Sequence, residues 1–390
     1  MRALVSADIS ESQANALVNC TLKSSHGPAC NLQALPLIGM QASNPTVDDV
    51  MARVLASDAW MAQRFQQVLQ TMPAEILLMT RALTAVVILS DVRPSFYSSR
   101  TGAIYLDPAE LWLTQAERAD VDTNPDFRSD FGNKLDFAVL WRYVKDNEYV
   151  TLRISDGDRS IADIRYRAAS LLYHELAHAN DYFYPVKVTT VPRLIPIDRV
   201  AANGIIPSAS LSAEFPLFST VMFGLAQVSF RGITPTDLQR SYGVTDIAAE
   251  FQNDFASDYY NYTEREDLAM LFEELMMLYS FGVDRDVAVT TRPTVNRCSE
   301  YRVEWGQRNR ILEAAVGRRA VNVARKILPE SSALLAGFLA TRREGPTLMT
   351  PGLDWCQNRF LDDVSGPRSL RDGRKQQQEV GRAERLIPYL

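Results

Sequence analysis

Three residues of one short stretch have the types and the spacing to hold a metal ion and use it. Within Leu171-Leu-Tyr-His-Glu-Leu-Ala-His-Ala-Asn-Asp-Tyr-Phe183 lie His174, Glu175 and His178, the pattern H-E-x-x-H. On a helix, residues four apart stand one turn above each other on one face. Both imidazoles can then reach a single ion. Glu175 follows the first of them, where its carboxylate can take a proton from a metal-activated water. The chain has 3 histidines and spends two of them here, which a generic polar role does not call for.

A catalytic zinc site takes three protein ligands and leaves one position open. The remaining histidine, His26, sits in a Ser-Ser-His-Gly-Pro loop beside a cysteine and is a poor ligand candidate. No further histidine follows His178, so the third ligand is expected to be a carboxylate, downstream and on a helix. Glu266 opens an apolar helical stretch that would pack on the first helix. Asp258, Glu264, Glu273 and Glu274 are the alternatives. The competing role for Glu266 is to satisfy backbone amides and the dipole at a helix start.

Taken together, the two stretches resemble the gluzincin side of the zincin metallopeptidases. In some of those families, including those like the lethal-factor toxins, a tyrosine precedes a glutamate in a pattern like Y-x(6)-E-[DF]-F-A-E. This chain reads Tyr259-x(6)-Glu266-Asp267-Leu268-Ala269-Met270. The resemblance implies Glu266 as the third ligand and Tyr259 as an oxyanion donor, with Tyr260 and Tyr262 competing for that role. Leu268 replaces an aromatic. Met270 replaces a glutamate that would orient a ligand histidine. Asp181, just after His178 on the same helix, or Glu273 is expected to take its place. The resemblance covers these two stretches alone.

The function implied is a zinc-dependent metallopeptidase, a hydrolase acting on peptide or protein substrates with Glu175 as general base. Three other readings compete: a catalytically inactive zinc-site protein serving as a binding or assembly module, a metal hydrolase acting on another bond, and a helical protein without metal.

The elements around the motif follow from pattern. Ile161–Tyr173 has no Pro or Gly and is apolar at helical spacing, so a helix is expected from about 160 to 183. Val47–Leu69 carries a helical stripe of its own. Leu83–Leu89 and Gly102–Asp107 are expected strands, separated by a polar loop at Ser90–Thr101. Gly102–Asp107 is the candidate sheet edge for pairing with an extended substrate. Asp107-Pro108 starts a short helix, residues 115–134 are expected to be loop, and 149–154 a strand. The Pro-rich 185–216 is expected to be an irregular excursion, a lid or cleft wall. Thr263 and Glu266 have the spacing of a capping box. Ile311–Leu339 is expected to be helical, and Arg368–Leu390 a charged tail. The fold class is therefore α+β: a mainly helical zincin-like domain with a small sheet beside the H-E-x-x-H helix, plus helical extensions. The divisions expected are 1–80, an N-terminal arm and packing helix; 81–295, the catalytic domain; and 296–390, a C-terminal helical extension and tail.

Composition narrows the classes. The 390 residues are 46% hydrophobic and 23% charged, ordinary for a globular protein. A net charge of -6 gives no reason to expect nucleic-acid binding. No apolar run is long enough for a membrane span. The N-terminus lacks the apolar core of a signal peptide. Four cysteines in two separated pairs suit disulfides Cys20–Cys30 and Cys298–Cys356 in an exported protein, against four buried thiols in a cytosolic one.

Overall fold

Two runs of four apolar residues, Ala85–Ile88 and Ala103–Leu106, are buried along their whole length and form the centre of a sheet. A strand buried on both faces needs a layer on each side. In the computed structural model, which describes residues 4–5, 9–23, 27–122, 124–151, 157–342 and 344–361, both layers are present. Val86, Ile88, Ile104 and Leu106 face a core shared with the motif helix. Their alternates, Ala85, Val87, Ala103 and Tyr105, face a second layer with Leu17, Cys20, Leu35 and Leu55.

The fold is mixed α+β, rich in helix, with two five-stranded sheets. The strands in chain order are β1 (Leu4–Val5), β2 (Val54–Ala56), β3 (Ala85–Ile88), β4 (Phe96–Ser98), β5 (Ala103–Leu106), β6 (Phe137–Lys145), β7 (Glu148–Tyr149), β8 (Asp284–Thr291), β9 (Val303–Arg308) and β10 (Thr347–Leu348). The first sheet has the order β1-β2-β3-β5-β4. Its β2, β3 and β5 are parallel, and β4 closes the edge antiparallel to β5. The second sheet, β10-β9-β8-β6-β7, is antiparallel throughout. β2 and β3 lie either side of residue 80, and β8 and β9 either side of 295, so both expected divisions cross a sheet.

The motif helix runs Ile161–Tyr182. Its start is fixed by a reciprocal cap. Ser160 Oγ accepts from Asp163 N at 3.3 Å, and Asp163 Oδ2 accepts from Ser160 N at 2.7 Å. It packs chiefly on the helix Glu266–Phe281, here called the glutamate helix. Leu172, Tyr173, Leu176 and Ala177 share a core with Leu268, Leu271, Phe272 and Leu275 across that contact.

Several local expectations are corrected. Val47–Leu69 is not one helix: it breaks into Val47–Met51, strand β2 and Ala59–Leu69. Asp58 restarts the helix by accepting from Trp60 N at 3.2 Å. Val54-Leu55-Ala56 fits a helical stripe and a buried strand equally well, and the sheet takes it. The Pro-rich 185–216 folds into Pro185–Thr190, Ile197–Ala201 and Pro207–Glu214; Pro185 and Pro207 open helices rather than break them. A short helix, Gln115–Ala119, interrupts the expected loop at 115–134. Thr263 does not cap the glutamate helix. Its hydroxyl donates to Tyr260 O at 2.8 Å, and Arg265, at φ 66, turns the chain into the helix.

The C-terminal third is not purely helical, because β9 and β10 extend the second sheet before and after the helices Ala314–Ile327 and Pro329–Thr341. Of the strand expected at 149–154, Tyr149 alone belongs to β7; Val150 and Thr151 leave the strand in a bend, and residues 152–154 lie outside the described residues, as do His26 and the tail 368–390.

Both cysteine pairs are joined. Cys20–Cys30 and Cys298–Cys356 have Cα separations of 5.4 and 5.3 Å. No helix among the described residues is long and apolar enough to cross a membrane.

Candidate metal centre

One turn of the motif helix separates His174 from His178, and their Nε2 atoms face each other at 3.2 Å. Glu266, the first residue of the glutamate helix, brings Oε2 to 3.0 Å from His174 Nε2 and 3.4 Å from His178 Nε2. Four donors about 2.0–2.1 Å from a tetrahedral ion stand roughly 3.3 Å apart along each edge. The three atoms thus already outline one face of such a tetrahedron. All three residues are buried or nearly so.

The chemistry of the donors fits a cation. Glu266 Oε2 is buried within ion-pair distance of both imidazoles, yet it makes no hydrogen bond. Burial works against the imidazolium of His174, but Glu266 and Glu273 together raise its pKa well above the usual value. Burial likewise works against the Glu266 carboxylate, and the two histidines overcome it, holding its pKa down to about 2. Two imidazoles and a carboxylate converging on one point are a donor set that suits a divalent ion.

Behind the ligands, Glu273 Oε2 lies 3.1 Å from His174 Nδ1. Its Oε1 accepts from Tyr143 Oη at 2.9 Å and Ser170 Oγ at 2.5 Å. This arrangement fixes the ring and leaves Nε2 for the ion. Glu273 therefore fills the place left by Met270, and Asp181 does not. Asp181 instead accepts from Ser208 N and Oγ, both at 2.7 Å, and pairs with Arg265 at 3.3 Å. The other carboxylates considered as ligands are engaged elsewhere. Asp258 pairs with Arg285 at 2.5 Å, Glu274 lies 2.9 Å from the same guanidinium, and Glu264, largely exposed, lies 3.8 Å from Arg265.

Glu175 is buried on the wall of an open cavity of about 270 Å³ that it shares with His178 and Glu266. Burial raises its pKa, while the two histidines work in the opposite direction. A backbone hydrogen bond from Tyr97 on β4 also holds it. The sheet edge beside the site is therefore β4, and not Gly102–Asp107. Strand β5 is internal, paired on both sides. β4 lies within the expected loop at Ser90–Thr101; its three residues are half-buried and sit in a polar run, which gives no strand pattern. Gly102, at φ 69, lets the chain reverse from β4 into β5.

Tyr259 is not at the ligands. Its hydroxyl lies 3.3 Å from Ser229 Oγ, and its ring packs against Phe230 and Phe137 in a separate core. Tyr262 donates to Asp254 at 2.9 Å. Tyr260 is the member of the trio that reaches the site, its ring stacked 6.3 Å from that of His174. The cavity is completed by Tyr97, Tyr182, Arg231, Glu264 and Arg265. Of these, Tyr182 was legible: it follows His178 by one helical turn on the same face. Tyr97 and Arg231 arrive from distant elements and leave no local signal.

Comparison with protein-family models, with curated proteins and with solved structures finds no match to this chain, so the site's own geometry is the basis for assigning it a function.

Proposed function

We propose that the chain is a zinc-dependent metallopeptidase of gluzincin type, with His174, His178 and Glu266 as the metal ligands. The observation that carries this is the pairing of three ligand atoms at tetrahedral spacing with a buried carboxylate, Glu175, on the wall of the same open cavity. Zinc bound there supplies Lewis acidity toward a peptide carbonyl and toward a water molecule. Glu175 accepts the proton from the attacking water and passes it to the leaving amine. An extended substrate would add to the free edge of β4, beside Glu175. The oxyanion role expected of Tyr259 passes to the tyrosines lining the cavity, Tyr97 and Tyr182. The two disulfides suit work in an oxidising, exported setting.

A binding module that keeps a zinc site without catalysis would have no need of a base. The experiment is metal analysis beside a peptide-cleavage assay on wild type, Glu266→Ala and Glu175→Gln. About one zinc per chain is expected in wild type and Glu175→Gln, and strong loss in Glu266→Ala. Cleavage is expected in wild type only. Zinc bound with no cleavage of any peptide would leave the binding-module reading. No zinc in wild type, even after metal addition, would remove both.

A further inference from the structure

The cavity holds two arginines in unlike situations. Arg265 is committed: its Nη1 lies 3.3 Å from Asp181 Oδ2, and its guanidinium lies 4.3 Å over the ring of Tyr182. Arg231 ends the helix Thr220–Arg231 and stands exposed on the cavity wall. No side-chain ion pair or hydrogen bond engages it among the described residues. On the other wall, the rings of Tyr97 and Tyr182 lie 5.7 Å apart and give the cavity an aromatic side.

We infer that Arg231 receives a carboxylate of the substrate, so that the site favours peptides with an acidic side chain or a free C-terminal carboxylate close to the cleaved bond. An uncommitted guanidinium on the wall of a cleft is built to take such a group in a two-point hydrogen bond. Arg265, by contrast, is already neutralised by Asp181. The inference deepens the metallopeptidase reading and rests on it.

The test compares matched peptides with Glu or Gln at each position near the cleaved bond, each with a free or an amidated C-terminus. The zinc-loaded full chain is used. A preference of about three- to fivefold in kcat/KM for the carboxylate is expected at low salt, as for an exposed pair. It should shrink at about 0.5 M NaCl. It should vanish in Arg231→Gln, reverse in Arg231→Glu and survive in Arg231→Lys. Each ratio is taken within one variant, so a change in overall activity cancels. Sensitivity to amidation alone would assign the carboxylate to the peptide terminus, and sensitivity to Glu against Gln alone to a side chain. Equal rates for all peptides, or a preference untouched by Arg231→Gln, overturns the inference. If no peptide is cut, the enzyme reading fails on its own, and the same peptides are ranked by fluorescence anisotropy on the zinc-loaded protein. There, equal affinities or no binding overturns the inference as well.

Discussion

Glu273 decides how well His174 can serve as a ligand. Its carboxylate sits 3.1 Å from Nδ1 and is itself held by Tyr143 and Ser170. Losing the charge while keeping the shape should loosen the ring and lower its basicity. Glu273→Gln is therefore expected to weaken zinc binding about 10- to 100-fold, measured by competition with a chelator. Unchanged affinity would make Glu273 a packing residue. The tyrosines allow a sharper contrast. Tyr259→Phe removes a hydroxyl that meets Ser229 in a separate core, and should leave kcat within about twofold. Tyr97→Phe removes from the cavity wall a hydroxyl that has no hydrogen-bond partner among the described residues, and should lower kcat at least tenfold. The opposite ranking would restore the role that the motif spacing implied for Tyr259. At this scale the sequence was informative where residues share one helix. His174 and His178 share a helix face by their spacing, Glu175 comes with the motif, and Tyr182, one turn past His178, lies on the same face. The choice among Tyr259, Tyr260 and Tyr262 did not follow from spacing, because a single turn of 3₁₀ helix, Tyr259–Tyr262, points adjacent side chains in different directions.

At the scale of elements, the site exists only while two helices keep their register. Tyr173, the neighbour of His174, meets Phe272 of the glutamate helix ring to ring at 6.1 Å. Phe272 is fully buried. Phe272→Ala should cost about 3–5 kcal/mol in chemical denaturation and weaken zinc binding in the same protein. Loss of stability with zinc affinity intact would show that the ligands hold their geometry without this contact. The motif helix could be read from its capping residues and its lack of Pro and Gly. Other elements were obscured for physical reasons. β2 and β4 have three residues each, too few to show a period of two. The prolines at 185 and 207 occupy the first helical position, where a missing N–H costs nothing, so composition suggested loop where the chain forms helices.

For the whole molecule, what matters is how the candidate metal site is anchored to the second sheet. Arg285 on β8 faces three carboxylates at the base of the site: Asp258 at 2.5 Å, Glu274 at 2.9 Å and Glu273 at 3.8 Å. One guanidinium cannot neutralise all three. Burial, with Asp258 and Glu273 as further charges, pushes Glu274 up to about 8 despite Arg285. Such a group is protonated in the folded chain and ionised in the unfolded chain between its ordinary pKa, near 4.5, and 8. The folded state then binds more protons, so its contribution to stability is full below about 4.5 and is lost as pH rises toward 8. Glu274→Gln keeps the neutral form at every pH. In zinc-free protein, where proton release by metal binding does not intrude, Glu274→Gln should gain Tm over wild type at pH 8 and lose that gain near pH 5. Parallel Tm curves for the two proteins would mean that Glu274 is ionised in the folded state. Arg285 would then carry its three partners unaided, and the Glu273 carboxylate that orients His174 would have to share that one cation with two other full charges.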